Sequence, residues 1–122
     1  MFSEAVLDHF KNPRNAGELP GATATVEVSN PICGDILKLS ARIENGRIAE
    51  ARFLCRGCTT SIACASLLTV KISGLTLAEV RSLTPESLST ALGGLPPATF
   101  HGAQLAIEAV AALLRNVTSA KS

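Results

Sequence analysis

The spacing of apolar residues divides the chain into a short helix, three strands and a final group of helices. Apolar residues near the N-terminus recur at helical spacing after Ser3, a side chain suited to cap a helix that we expect to run to about Lys11. Asn12-Pro13 should end this helix, because a residue that precedes proline avoids the helical region. His9 is expected on the polar, solvent-facing side of the helix.

Three later segments alternate between apolar and polar residues, as half-buried strands do. They cover residues 23–29, 36–44 and 48–55. Asn45-Gly46, between the second and the third segment, is a strong signal for a two-residue hairpin. The pattern therefore predicts a three-stranded antiparallel meander.

The rest of the chain predicts helices. Residues 60–72 are apolar nearly all round, which is typical of a buried helix. The sequence 76–79 matches a capping box, and Thr84-Pro85 places a cap before a proline at the first helical position. A last helix is expected from near His101 to about Val117. Strands followed by helices are typical of an α+β domain, so we expect a single domain over residues 1–122 with helices packed on one face of the small sheet.

Composition narrows the classes of function. With 122 residues, 47% of them hydrophobic, the chain should form one globular domain. The net charge is +1 without a basic cluster or an aromatic platform, which argues against a nucleic-acid partner. We see no apolar run of roughly 18 residues and no secretory signal, so we expect a cytoplasmic protein without a membrane partner. We also see no nucleophile–base set and no phosphate-binding Gly-rich loop, so we do not expect an enzyme.

The candidate chemistry lies at the ends of the predicted elements. Cys33 and Asp35 stand between the first two strands, Cys58 follows the third strand, and His101 begins the last helix. In a meander the first turn and the exit of the third strand lie at the same end of the sheet, so these side chains could converge. Thiolates, a carboxylate and an imidazole are able to hold zinc or a labile [2Fe-2S] cluster.

Cys55 and Cys64 are the two remaining cysteines. Cys55 shares a strand face with Phe53, and Cys64 lies in the middle of an apolar helix, so we expect packing roles for both. The alternative for either thiol is a role as a ligand. Cys55 and Cys58 form a Cys-x-x-Cys pair, which leaves a thiol redox function as a hypothesis, although no βαβ unit precedes the pair.

Ordered motifs along nearly the whole chain add a further pattern. They are residues 2–17, Asn30-Pro31-Ile32-Cys33-Gly34-Asp35, Ala51-Arg52-Phe53, Gly57-Cys58, Ser61-Ile62-Ala63, and Leu95-Pro96-Pro97 followed by His101. This set resembles the U-type iron–sulfur cluster scaffold family, the group of IscU and the NifU N-terminal domain. The resemblance implies an α+β fold. It also implies that iron, a [2Fe-2S] cluster or zinc is held by Cys33, Asp35, Cys58 and His101.

The resemblance further implies a scaffold that receives sulfur from a cysteine desulfurase, holds a nascent cluster and passes it on. The other partners that it implies are an iron donor, ferredoxin and cluster-accepting apo-proteins. Two positions depart from the family pattern: Gly102 stands where a third cysteine is expected, and Ala98-Thr99 lacks the basic residue expected after Leu-Pro-Pro. The alternative is therefore a degenerate paralogue, a desulfurase-binding interaction or regulatory module that does not assemble clusters.

Overall fold

The computed structural model describes residues 2–31 and 34–121, with side chains described as far as Val117. The elements are α1 (Glu4–Lys11), β1 (Ala24–Asn30), β2 (Asp35–Glu44), β3 (Arg47–Arg56), α2 (Thr59–Ile72), α3 (Leu77–Arg81), α4 (Pro85–Ala91), a 3₁₀ turn (Pro97–Thr99) and α5 (His101–Lys121). The three strands pair antiparallel in the order β1-β2-β3. The predicted α+β class and the three-stranded meander are confirmed.

Helix α1 begins as the sequence predicts and faces a partner that the sequence did not predict. The Ser3 hydroxyl accepts a hydrogen bond from the backbone N–H of Val6. This bond satisfies one of the N–H groups of the first turn that have no partner within the helix. The expectation that His9 only faces solvent was wrong. Its Nδ1 lies 2.8 Å from the hydroxyl of Ser66, a fully buried residue of α2. The polar side of α1 therefore packs partly against a polar position of α2.

The sheet separates an apolar core face from a face that remains partly exposed. Leu39 on the central strand pairs with Val26 and Phe53, and this row lies beneath the helices. Helix α2 packs against β3, while α5 packs against β1 and β2. On the opposite face Ile36 and Leu54 are exposed. Helices thus cover one side of the sheet, as the strand pattern predicts.

The turns and helix ends follow local sequence signals closely. Asn45 and Gly46 have φ values of 54° and 73°, the left-handed pair that a type I′ hairpin requires. The capping box between Thr76 and Glu79 is present, and Thr84 caps α4 as predicted. Helix α5 continues to Lys121, beyond the predicted end, because no glycine or proline interrupts residues 118–121. No helix in the described part of the chain is both long enough and apolar enough to cross a bilayer.

Strand register decides where the candidate site lies. Asn30 pairs with Asp35, and Ile36 pairs with Arg56, so the start of β2 and the end of β3 lie at one edge of the sheet. Helix α2 begins shortly after β3 leaves this edge, and the contacts of α5 with both α2 and β1 bring its first turn to the same place.

Candidate metal centre

Three of the four predicted ligands meet at this edge of the sheet. Asp35 is the first residue of β2, Cys58 is the N-cap residue of α2, and His101 is the first residue of α5. Cys58 Sγ lies 3.8 Å from His101 Nε2 and 3.9 Å from Asp35 Oδ2, and the nitrogen and the oxygen are 3.5 Å apart. Cys33, the fourth predicted ligand, lies outside the described residues.

The spacing of these three atoms fits a bound metal ion. Zinc binds sulfur at about 2.3 Å and nitrogen or oxygen at about 2.0 to 2.2 Å, so tetrahedral ligands around one ion are roughly 3.4 to 3.6 Å apart. The observed separation of 3.5 Å lies within this range, and those of 3.8 and 3.9 Å exceed it only slightly. Small side-chain movements would therefore bring all three atoms onto one ion. Thiolate, imidazole and carboxylate are also ligands that zinc and ferrous iron accept.

The three side chains differ in their access to solvent. Asp35 is 3% exposed, the His101 side chain is 23% exposed, and Cys58 is exposed. A buried carboxylate needs polar partners, because its transfer from water is otherwise costly. The site is thus closed on the Asp35 side and open on the Cys58 side, and an incoming group would reach the sulfur first.

Gly57 makes room for the Asp35 carboxylate. A Cβ atom built on Gly57 would lie 2.8 Å from both Cγ and Oδ1 of Asp35, a distance that real Cβ contacts do not reach. The carboxylate therefore lies directly against the backbone that leads into Cys58. Any side chain at position 57 would displace it.

Gly102 allows helix α5 to start close to helix α2. A Cβ atom built on Gly102 would lie 3.2 Å from the backbone N and Cα of Ser61 and 3.3 Å from the carbonyl carbon of Thr60. This close approach places His101 beside Cys58. A side chain at position 102, a thiol included, would require one of the two helices to shift by a few tenths of an ångström.

The remaining cysteines are poor candidates for a reactive thiolate. Cys64 is completely buried in the core, and burial raises the pKa of its thiol to about 12. Cys55 is half-buried, and burial followed by the negative charge of Asp35 raises the pKa of its thiol to about 12. Both thiols are protonated at neutral pH, and a protonated thiol is a weak nucleophile and a weak ligand. The packing role expected for Cys64 is confirmed, and Cys55 packs at the margin of the same core.

Ser61, for which the sequence did not predict a chemical role, lies among these ligands. The Ser61 hydroxyl donates a hydrogen bond to Asp35 Oδ2 at 2.5 Å and lies 3.3 Å from Cys58 Sγ. A signal for it exists in the sequence. Ser61 stands three residues after the N-cap residue Cys58, the spacing at which a side chain of the first helical turn reaches back toward the cap.

Comparison with solved structures identifies the fold. The N-terminal NifU-like protein of Brucella abortus matches this chain with a TM-score of 0.78 over 95% of this chain and 93% of that one, at 18% identity. At this identity the likeness concerns the fold alone. The molecule is thus a small α+β domain of the kind found at the N-terminus of NifU-like proteins.

Sequence comparison gives the family. The iron–sulfur cluster assembly scaffold protein IscU 1 of Archaeoglobus fulgidus is 37% identical over 110 residues, which are 90% of this chain and 72% of that protein. The nitrogen fixation protein NifU of Cereibacter sphaeroides is 52% identical over 90 residues, 74% of this chain but only 37% of that protein. The model of the NifU-like N terminal domain family matches residues 1–121. The chain belongs to this family, and the resemblance found in its motifs is confirmed.

Proposed function

We propose that the chain is an iron–sulfur cluster assembly scaffold. It holds iron, a labile [2Fe-2S] cluster or zinc through Asp35, Cys58 and His101, and through Cys33, which lies outside the described residues. The observation that supports this most strongly is the approach of a carboxylate, a thiol and an imidazole to within 3.9 Å of one another. Membership of the NifU-like family and the name of the scaffold relative from Archaeoglobus fulgidus add support.

The chemistry of the donor set suits a cargo that must leave again. Thiolates hold cluster iron well, whereas a carboxylate is a harder and weaker partner for it. A set in which Asp35 and His101 stand beside cysteine thiolates binds a cluster less firmly than four thiolates would. The exposed side at Cys58 offers a route for cargo to arrive and depart. The proposed role is stoichiometric, so no enzymatic turnover is part of it.

Cys58 is the described cysteine best placed to accept sulfur. It is exposed and stands at the N-cap position of the 14-residue helix α2, so an incoming persulfide can reach its sulfur. Its thiolate attacks the outer sulfur of a desulfurase persulfide, which forms a persulfide on Cys58 and releases the desulfurase cysteine as a thiolate. The raised pKa values of Cys55 and Cys64 argue against these two thiols in the same role.

The partners in this proposal follow from the chemistry of the cargo. A cysteine desulfurase supplies the persulfide, an iron donor supplies iron, and ferredoxin supplies the electrons that reduce persulfide sulfur to sulfide. Cluster-accepting apo-proteins receive the product. A cytoplasmic location is included in the proposal, since Cys55, Cys58 and Cys64 are free thiols and such thiols persist in a reducing compartment.

Anaerobic reconstitution tests the proposal. The purified protein is incubated with ferrous iron, cysteine, a desulfurase and dithiothreitol as the reductant that converts persulfide sulfur to sulfide, and visible absorption, bound iron and acid-labile sulfide are measured. We expect a [2Fe-2S] absorption spectrum that Cys58→Ala abolishes. Cys64→Ala, which removes a buried thiol away from the donor set, is the matched control and should retain the spectrum. A wild-type protein that takes up neither cluster nor zinc would contradict the proposal.

One observation favours a second candidate, a desulfurase-binding module that does not assemble clusters. A Cβ atom at Gly102 would lie 3.2 Å from the backbone of Ser61, so a third thiol at that position would require one of the two helices to shift. The same reconstitution separates the two candidates. A chain that captures the desulfurase in a pull-down, but whose Cys58→Ala variant gives the same amount of cluster as wild type, fits the module and not the scaffold.

A further inference from the structure

We propose that Ser61 is a positioning residue of the metal centre. Its hydroxyl holds the Asp35 carboxylate in the orientation that a metal ligand needs. This inference rests on the proposed metal-binding function, because it assigns a role to a residue that lies beside the ligands and not among them. It concerns a side chain at the first turn of α2, three positions after Cys58.

The hydrogen bond from Ser61 selects one oxygen of the carboxylate. The hydroxyl donates to Asp35 Oδ2 at 2.5 Å, and Oδ2 is also the oxygen that lies 3.5 Å from His101 Nε2. The hydroxyl thus acts directly on the carboxylate, as a hydrogen-bond donor to one of its oxygens. One lone pair of Oδ2 accepts the hydroxyl proton, and the other remains for an ion.

Burial makes this bond hard to replace with water. Ser61 is 2% exposed and Asp35 is 3% exposed. If the hydroxyl were removed, the carboxylate would lose a charge-assisted hydrogen bond. Such bonds are stronger than hydrogen bonds between two neutral groups. Gly57 restrains the same carboxylate from another side, because its backbone lies against Cγ and Oδ1. The Ser61 hydroxyl thus binds Oδ2, while the missing side chain of Gly57 leaves room for the carboxylate in this orientation.

Ser61 also connects Asp35 with the exposed sulfur. Its Oγ lies 3.3 Å from Cys58 Sγ. Since its own proton goes to Asp35, the oxygen can accept the thiol proton of Cys58. Two of the three described ligands therefore share one hydroxyl group, which preorganises them relative to each other before an ion binds.

Cobalt(II), a coloured substitute for zinc or ferrous iron, is the probe for the first test. The metal-free protein is titrated anaerobically, and the sulfur-to-cobalt charge-transfer band gives both affinity and evidence of thiolate ligation. Ser61→Ala should weaken binding by about 10- to 100-fold, the usual effect of removing a hydrogen bond to a metal ligand. The band should still appear at saturation, because Cys58 remains a ligand. Ser61→Thr, which keeps the hydroxyl, should bind within about threefold of wild type.

Ser66→Ala is the matched control, since Ser66 is another fully buried serine of α2 whose hydroxyl is hydrogen-bonded, in this case to the backbone N–H of Arg14. It should lower thermal stability and leave the cobalt affinity unchanged. Equal cobalt affinity of wild type and Ser61→Ala would overturn the proposal for Ser61 and leave the metal-binding function standing. A wild type that binds no cobalt would overturn both this inference and the metal-binding function.

A double-mutant cycle tests whether Ser61 acts through Asp35. The affinity loss caused by Ser61→Ala is measured again in an Asp35→Asn background, where the anionic acceptor is gone. If Ser61 works by orienting the carboxylate, Ser61→Ala should lower the cobalt affinity of the Asp35→Asn variant by less than about threefold, because the effects of coupled residues are not additive. A full 10- to 100-fold loss in the Asp35→Asn background would overturn the proposed route.

Discussion

Gly57→Ala is the substitution that links the packing of the site most directly to its chemistry. The backbone of Gly57 does not have a positive φ, so alanine meets no conformational penalty there. The penalty comes from contact alone. The new Cβ would lie 2.8 Å from Cγ and Oδ1 of Asp35 and 3.2 Å from its Cβ. Asp35 is buried and paired in β2, so the carboxylate must rotate away or the chain must shift.

Two effects of different size should follow. Overpacking of this kind costs about 1 to 3 kcal/mol in the free energy of unfolding. Rotation of the carboxylate would also move Oδ2 away from Cys58 and His101, and we expect the affinity for zinc to fall by about tenfold or more, which corresponds to about 1.4 kcal/mol of binding free energy. Chemical denaturation of the metal-free protein measures the first effect, and competition with a coloured zinc chelator measures the second.

Gly46→Ala provides the control. Gly46 has a φ of 73° in the hairpin at the other end of β2, and an added Cβ would have nothing within 4 Å. Alanine in this left-handed conformation costs about 1 to 2 kcal/mol, so stability falls by a similar amount without any contact with the site. Zinc affinity should be unchanged in Gly46→Ala. Unchanged zinc affinity in Gly57→Ala would refute the reasoning that Gly57 positions Asp35.

Three other predictions concern reactivity, pH and helix packing. Iodoacetamide at pH 7.5 should modify Cys58 much faster than Cys55 or Cys64, because the pKa values of the latter two thiols are raised to about 12. Bound zinc should protect Cys58. Mass spectrometry of peptides measures each rate, and equal rates would contradict the assignment of Cys58 as the reactive cysteine. Burial lowers the pKa of His9, so the folded state favours its neutral form. The free energy of unfolding should therefore fall as pH drops below about 6.5. Denaturation at several pH values should show a smaller fall in this free energy for His9→Gln than for wild type. Gly102→Ala should lower the free energy of unfolding by about 1 to 3 kcal/mol, because its Cβ would crowd the α2 backbone, and an unchanged melting temperature would indicate that the helices adjust freely.

The elements that could be predicted from the sequence are those decided by near neighbours. The Asn45-Gly46 hairpin, the Ser3 cap and the Thr76 capping box each depend on residues a few positions apart, and all three are present. The meeting of the start of β2 with the start of α2 could also be anticipated, because a three-stranded meander brings these two points to one edge.

The contacts that the sequence did not predict depend on how helices pack. His9 meets Ser66 only because α1 lies across α2, 57 positions further along the chain. The clearance at Gly57 and the hydrogen bond from Ser61 to Asp35 likewise join residues of β2 to the segment that enters α2. No periodicity or local motif contains these distances. The sequence therefore indicates which side chains could be ligands, while the structure indicates what orients them.

X-ray absorption at the zinc edge, on anaerobically purified protein loaded with one equivalent of zinc, tests most directly whether Asp35, Cys58 and His101 form one metal centre. We expect stoichiometric zinc in a mixed coordination shell, with sulfur at about 2.3 Å and nitrogen or oxygen at about 2.0 to 2.2 Å, and a loss of sulfur scattering in Cys58→Ala. Zinc bound in a shell of oxygen atoms alone, or a wild-type spectrum that Cys58→Ala does not change, would contradict the account.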